Sequence, residues 1–368
     1  MKILSLSKYG KLGASSRLRT LQYLILLEKE GIEVSSQPLI SNEALLLRYK
    51  QGHYSPSSLV LFYIKRIKTL IFKKSYDLLW IEKEALPWFP VWIELLLLRG
   101  KPFILDYDDA TFHNYDQNNN KILRYFFHDR LDKLMANASL VVCGNLYLQK
   151  RALNSGASNI VILPTVVNLD RYPVKRYVDL SMMEHRNYQC KIVWIGSPST
   201  QHYLKLIKGP LKLLSKKNNF ILRIIGSEEF KIPSVNMEII PWSEEAESKL
   251  IRESDIGIMP LFNKSWEKGK CGYKLIQYMA CGLPVVASPI GVNQDIVCHG
   301  KNGFLANNEN EWIASLDKLL GNSALRFKMG SRGRQDVVEN FSLTTTAPNL
   351  IHNFRKVYEE KNRRNNVD

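Results

Sequence analysis

Gly269-Lys270-Cys271-Gly272-Tyr273-Lys274-Leu275-Ile276-Gln277-Tyr278-Met279-Ala280-Cys281-Gly282-Leu283-Pro284-Val285-Val286-Ala287 reads as a glycine-bearing loop, a helix and a short buried strand in succession. A glycine ahead of a helix lets a ligand approach the backbone. The free N–H groups of the first helical turn then favour an anion. Cys281-Gly282 closes the helix with glycine at its C-terminal side, and Pro284 follows. The order of loop, helix and strand is that of a parallel α/β unit with a ligand-facing edge.

Working outward, the same alternation fills both halves of the chain. In the first half, strands are expected at residues 2–7, 32–38, 77–82, 102–106, 139–143 and 159–163, with helices at 17–30, 88–99 and 146–154. Residues 164–189 hold two prolines, several charges and no period, and read as a linker. Strands are expected again at 191–195, 220–225, 255–259 and 284–287, with a helix at 203–215 and a helical tail from residue 310. The division is residues 1–165, a linker over 166–189, residues 190–342, and a last helix over 343–361. A chain of 368 residues suits two such domains.

The helix start and the run Met279-Ala280-Cys281-Gly282-Leu283-Pro284-Val285-Val286-Ala287-Ser288 resemble the nucleotide-sugar signature of the retaining glycosyltransferase family 4. The resemblance is most specific from residue 191 to 339 and fainter before it. It implies a GT-B fold: α/β, two Rossmann-like domains with parallel sheets facing across a cleft, the last helix returning to the N-terminal domain. It also implies an N-terminal acceptor domain, a C-terminal donor domain and transfer with retention. Two glutamates separated by seven intervening residues usually frame the family's loop. Gly269 and Gln277 stand in their places.

Ligands of open parallel sheets bind beyond the carboxyl ends of strands. The first such end offers Gly13, Ser16, Arg17 and Arg19 to a phosphate or an acceptor. Close backbone approach at Gly13 and the N–H groups of a following helix motivate this, and a plain turn is the bland alternative. In the second half, Gly196-Ser197-Pro198-Ser199-Thr200 reads as a phosphate cradle, Ser197 being the N-cap and Pro198 the first helical residue. The family's usual arginine is replaced by Ser197. Lys270 and Lys274, flanking Gly272-Tyr273, are candidates for the positive charge on a diphosphate. Gln277 is a candidate for the ribose, where the family has a carboxylate. Asp106, Asp108 and Asp109 end a strand, and three carboxylates so close need a proton, a cation or hydroxyl groups to satisfy them. They are the catalytic candidates. Their spelling also fits a metal, but the GT-B setting implies none, and no cofactor beyond the donor substrate is expected.

The net charge is +16, and no acid occurs between Glu43 and Asp77. Residues 59–74 within that run read as a basic amphipathic helix. Lys65, Arg66, Lys68, Lys73 and Lys74 would meet an anionic membrane surface, or else form a solvated structural edge. No nucleic-acid module accompanies the charge. Five cysteines without a C-x-x-C pair read as reduced thiols. The first residues form a strand rather than a signal peptide, and no stretch reads as a transmembrane helix. The expectation is a cytoplasmic glycosyltransferase, peripheral on the inner membrane face, acting on a glycan or lipid-linked acceptor. A GT-B epimerase or phosphorylase, and an inactive nucleotide-sugar-binding subunit, remain as alternatives.

Overall fold

The computed structural model describes residues 1–174, 189–227 and 230–365. The chain forms two compact units. The first holds residues 1–165, Gly269–Cys271 and the described residues from Thr346 on. The second holds Val166–Lys268 and Gly272–Thr345. Most of the expected linker, residues 175–188, lies outside the described residues.

The first unit carries six parallel strands: β1 (Lys2–Tyr9), β2 (Glu33–Ile40), β3 (Leu78–Glu82), β4 (Phe103–Tyr107), β5 (Leu140–Cys143) and β6 (Ile160–Ile162). They run in the order β2-β1-β3-β4-β5-β6. Strands β3, β4 and β5 are buried along their whole length, which is why they read as apolar runs, with Glu82 and Asp106 as charged residues near the ends of β3 and β4. The chain steps outward from β1 to β2 and returns on the other side at β3. This reversal opens a crevice at the carboxyl ends of β1 and β3.

The second unit repeats the plan with β7 (Cys190–Ile195), β8 (Phe220–Ile225), β9 (Asn236–Ile240), β10 (Ile256–Met259), β11 (Val285–Ala287) and β12 (Gly303–Leu305). The order is β12-β11-β10-β7-β8-β9, again with all neighbours parallel. Its reversal lies between β7 and β10. The Tyr273–Ala280 helix is fastened to this point, because the Tyr278 hydroxyl accepts the Ile195 N–H at 2.9 Å.

Several expected elements differ in detail. The helix expected at 17–30 is three pieces, Ala14–Arg19, Leu21–Tyr23 and Leu24–Lys29, with Thr20 out of helical geometry. The helix expected at 203–215 begins as a 3-10 segment, Pro198–Ile207, and becomes α-helical at Lys208–Leu214. Pro210 has no N–H to give a preceding turn and is tolerated only where a helix starts. The basic segment is a helix over Pro56–Ile71 followed by a 3-10 turn, Lys73–Ser75.

One expectation about that helix is overturned. Arg66 is not a solvated head awaiting lipid. It is 2% exposed, and its guanidinium donates to the carbonyls of Ser7 and Gln37 at 2.8 Å each and of Ala85 at 3.4 Å. Burial draws its pKa down to about 10 despite Glu94 and Glu82. Arg66 therefore ties this helix to β1 and β2. Lys65, Lys68 and Lys74 are exposed, and Lys73 is half-buried with its Nζ on the Leu70 carbonyl at 3.0 Å.

Candidate active site

The first unit gathers charged groups at the carboxyl ends of β1, β3 and β4. Ser16, on the Ala14–Arg19 helix, donates its hydroxyl to Glu82 at 2.5 Å. Arg19 lies under the same crevice. Its Nε donates to Asp106 Oδ1 at 2.8 Å and one Nη to the Leu163 carbonyl at 2.8 Å. The other carboxylate oxygen of Asp106 accepts the Trp80 indole N–H at 3.3 Å. Arg19 and Asp106 are thus a buried pair with 1% and 2% of their side chains exposed. The sequence reading did not foresee these pairings. Asp106 is committed to Arg19 and Trp80, Arg19 to Asp106, and Ser16 to Glu82. Gly13 is also explained without a ligand, since a Cβ there would stand 2.6 Å from that of Tyr9. Arg17 donates to the Lys11 carbonyl at 2.9 Å, which holds its own loop.

Asp108 and Asp109 remain at the surface of the cluster, in different settings. Lys83 Nζ lies 2.7 Å from Asp108 Oδ1 and 3.1 Å from the Ser15 hydroxyl. Burial opposes the charge of Asp108, but the Lys83 ammonium outweighs it and holds the carboxyl below its ordinary pKa. Asp109 is more open, and its nearest cation, Lys270, is 4.0 Å away. Burial raises its pKa, Lys270 offsets this in part, and Asp108 adds to the rise. The two adjacent carboxylates thus differ in setting, Asp108 being held by an ammonium at 2.7 Å and Asp109 having its cation only at 4.0 Å.

Sequence reading missed Lys83. It directly follows β3, so the strand-end rule would have found it. Its φ of +65° puts a non-glycine residue in the left-handed region. Asn145 was also missed. Its side-chain amide donates to the Gly269 and Lys270 carbonyls at 2.9 and 3.1 Å, which fixes that loop within the first unit. Gly269 itself is explained by space. A Cβ there would lie 2.4 Å from that of Ala110 and 2.7 Å from its amide nitrogen, so the expected glutamate has no room.

In the second unit, Gly196 follows β7 and its N–H is held by the Ile225 carbonyl at 2.9 Å. Ser197 caps the 3-10 segment. Its N–H donates to the Thr200 hydroxyl at 3.1 Å, and its own hydroxyl pairs with that of Ser199 at 2.8 Å. The cradle is therefore preformed by internal bonds. Gly272 sits at φ +64° ahead of the Tyr273–Ala280 helix, a conformation that suits glycine. Lys274 Nζ stands 4.5 Å over the ring of Trp194, the last residue but one of β7. Gln277 is 2% exposed, with its amide on Glu247 at 2.8 Å and on the Tyr172 hydroxyl at 2.9 Å. The sequence made it a candidate for the ribose, and here its amide is engaged by Glu247 and Tyr172. Among the described residues no three His, Cys, Asp or Glu side chains converge as a metal set.

The geometry can be set beside known proteins. Residues 189–322 match the family model described as Glycosyl transferases group 1. This segment belongs to the group 1 glycosyltransferases. An uncharacterized glycosyltransferase of Methanocaldococcus jannaschii is 35% identical to this chain over 91 residues, 24% of each protein. The matched stretches span about a quarter of the length of the first curated relatives. Solved structures match along nearly all of the chain. Sucrose-phosphate synthase from Thermosynechococcus elongatus has a TM-score of 0.71 at 14% identity, covering 98% of this chain and 100% of that one. HepE of Anabaena in complex with UDP-glucose has a TM-score of 0.68 at 16% identity, covering 97% and 100%. At such identities the likeness establishes the GT-B fold of this chain.

Proposed function

We propose that the protein moves a sugar from a nucleoside diphosphate sugar to an acceptor hydroxyl, with retention, in polysaccharide or glycolipid biosynthesis. The observation that carries this reading is the preformed end of β7 beside the Gly272 turn, the first N–H groups of the Tyr273–Ala280 helix and Lys274, all within the family segment. HepE holds UDP-glucose, which supports a donor of that class here. Backbone dipoles and the Lys274 ammonium would absorb diphosphate charge as the glycosidic bond breaks, with Lys270 as a second cation. Asp109 would take the proton of the acceptor hydroxyl, and Asp108, fixed by Lys83, would orient that hydroxyl. The reading needs neither a cofactor nor a metal.

A thermal-shift panel of UDP-, GDP-, ADP- and TDP-sugars tests the donor. One donor at about 100 times its Kd should stabilise the protein by about 2.7 kcal/mol. Lys274→Ala should lose most of that rise. If no nucleoside diphosphate sugar shifts the melting temperature, the reading fails.

The membrane face of the proposal rests on the Pro56–Ile71 helix and its C-terminal turn. Val60, Leu61, Ile64, Ile71 and Phe72 are exposed there together with Lys65 and Lys68. No described helix is long and apolar enough to cross a membrane, so contact would be from one side only. We place the protein at a cytoplasmic membrane surface, with an acceptor linked to lipid. It should cosediment with anionic vesicles, less with neutral ones and less in high salt, each lysine contributing about 1 kcal/mol. Changing Lys65, Lys68, Lys73 and Lys74 to Gln should abolish binding while leaving Arg66 and the fold intact. Undiminished binding by that variant would sink the membrane reading.

A further inference from the structure

Gln277 does not stand alone. Glu247, the first residue of the Glu247–Arg252 helix, is 5% exposed, and three side chains from three other elements donate to it. The Tyr172 hydroxyl reaches Oε1 at 2.5 Å, the Gln277 amide reaches the same oxygen at 2.8 Å, and the Trp242 indole N–H reaches Oε2 at 2.6 Å. The Tyr172 hydroxyl in turn lies 3.2 Å from that of Tyr273. Trp242 follows β9, and its Cβ stands 3.0 Å from where a Cβ on Gly226 would be, with the Gly196 carbonyl 2.3 Å from the same point. The indole is therefore set over the carboxyl ends of β7 and β8, and it is only half-buried.

Charge decides what position 277 can be. A glutamate there would place a second carboxylate 2.8 Å from Glu247. Two buried carboxylates at that distance cannot both ionise, so one would have to carry a proton. An amide donates where a carboxylate would repel. The amide at 277 and the carboxylate at 247 are thus a matched pair with a single negative charge.

We infer that Glu247 carries, from a different helix, the negative charge that the resembling family places at position 277, and that the Glu247–Gln277 pair is a positioning unit for nucleoside diphosphate recognition. Glu247 does not touch the ligand. Its two oxygens fix Trp242 and, through Tyr172, the ring of Tyr273, next to the end of β7 and the Gly272 turn to which the donor reading assigns the diphosphate. The inference rests on the donor reading above and adds residues that act behind the site.

The experiment is a swap cycle on the full chain: Glu247→Gln, Gln277→Glu, and the double exchange. Each variant is assayed for melting temperature, and for the KM of the best sugar nucleotide from the panel beside the KM of the acceptor. Either single change should raise donor KM by about tenfold or more, the scale of one misplaced buried polar contact. Acceptor KM should hold. The defect of Gln277→Glu should shrink as pH falls, because a shared proton relieves the carboxylate pair. The double exchange restores one carboxylate facing one amide and should return donor KM to within about threefold of the parent. If the singles lower only the melting temperature and leave donor KM unchanged, or if a folded double exchange binds donor no better than the worse single, the inference is overturned. A parent protein that binds no nucleoside diphosphate sugar fails the donor reading instead, an outcome seen before any variant is made.

Discussion

Arg19→Met is expected to destabilise the protein by about 3–5 kcal/mol, the cost of leaving one member of a buried ion pair uncompensated. Methionine fills much of the same space, so little of the loss comes from packing. Asp106 would keep only the Trp80 N–H and would face the Leu163 carbonyl without the bridging guanidinium. The melting temperature should fall by roughly 10 °C. The sign of the pH dependence follows from Asp106. Burial already raises the Asp106 pKa above its ordinary value with Arg19 beside it, and losing the guanidinium raises it further, so the carboxyl of the variant prefers its proton more strongly. The penalty is then full above the ordinary carboxylate range and shrinks as pH falls through that raised value. Denaturant melts of parent and variant across the acid range measure this. A variant as stable as the parent at neutral pH would show that Asp106 is satisfied by other groups.

Asp109→Asn should lower turnover by about 100-fold or more, the scale of a lost general base, with donor affinity nearly unchanged. The parent should lose activity as pH drops through the pKa of Asp109, which burial raises above its ordinary value. Lys270 opposes that rise, so Lys270→Ala should move the acid limb to higher pH. Asp108→Asn should act differently. It frees Lys83 and should impair stability as well as rate. The measurement is kcat and kcat/KM against pH for each variant, with and without a chelator. Full turnover by Asp109→Asn would remove it from the chemistry. A strict requirement for an added divalent ion would assign the carboxylates to a metal instead.

The strands that could be read from the sequence are those buried on both faces. Leu140–Cys143 is a continuous apolar run between polar breaks, and Phe220–Ile225 is interrupted only by Arg223. β9 escaped notice because it is an outer strand with no buried residue, and its Asn-Met-Glu-Ile-Ile has no clean alternation. β12 is three residues long. For the site, sequence located the carboxyl ends of strands and the residue types found there. It did not say which side chains were already paired with each other. Asp106 looked equivalent to Asp108, yet its partner Arg19 lies 87 positions away. Arg66 looked like its lysine neighbours, and only the approach of β1 and β2 shows it turned inward. Gln277 looked like a depleted ligand until Glu247 appeared beside it. Pairings between distant elements are properties of the packed state, and no local pattern encodes them.

The divided ownership of the chain bears on its birth at the ribosome. The first unit is interrupted after Thr165 and recovers its last helix only from Thr346, about 180 residues later. That helix is no ornament. Phe354 packs edge-on against Trp80 with ring centroids 5.0 Å apart, and Arg355 reaches Glu30 at 2.8 Å. At bacterial or eukaryotic elongation rates the intervening stretch takes roughly 10–40 s to synthesise. For that time the nascent first unit must leave uncovered the ground that Phe354 will occupy beside Trp80. A newborn chain of this design is exposed to aggregation at one defined spot, and a folding chaperone that shields apolar surface would serve it there until the C-terminus arrives.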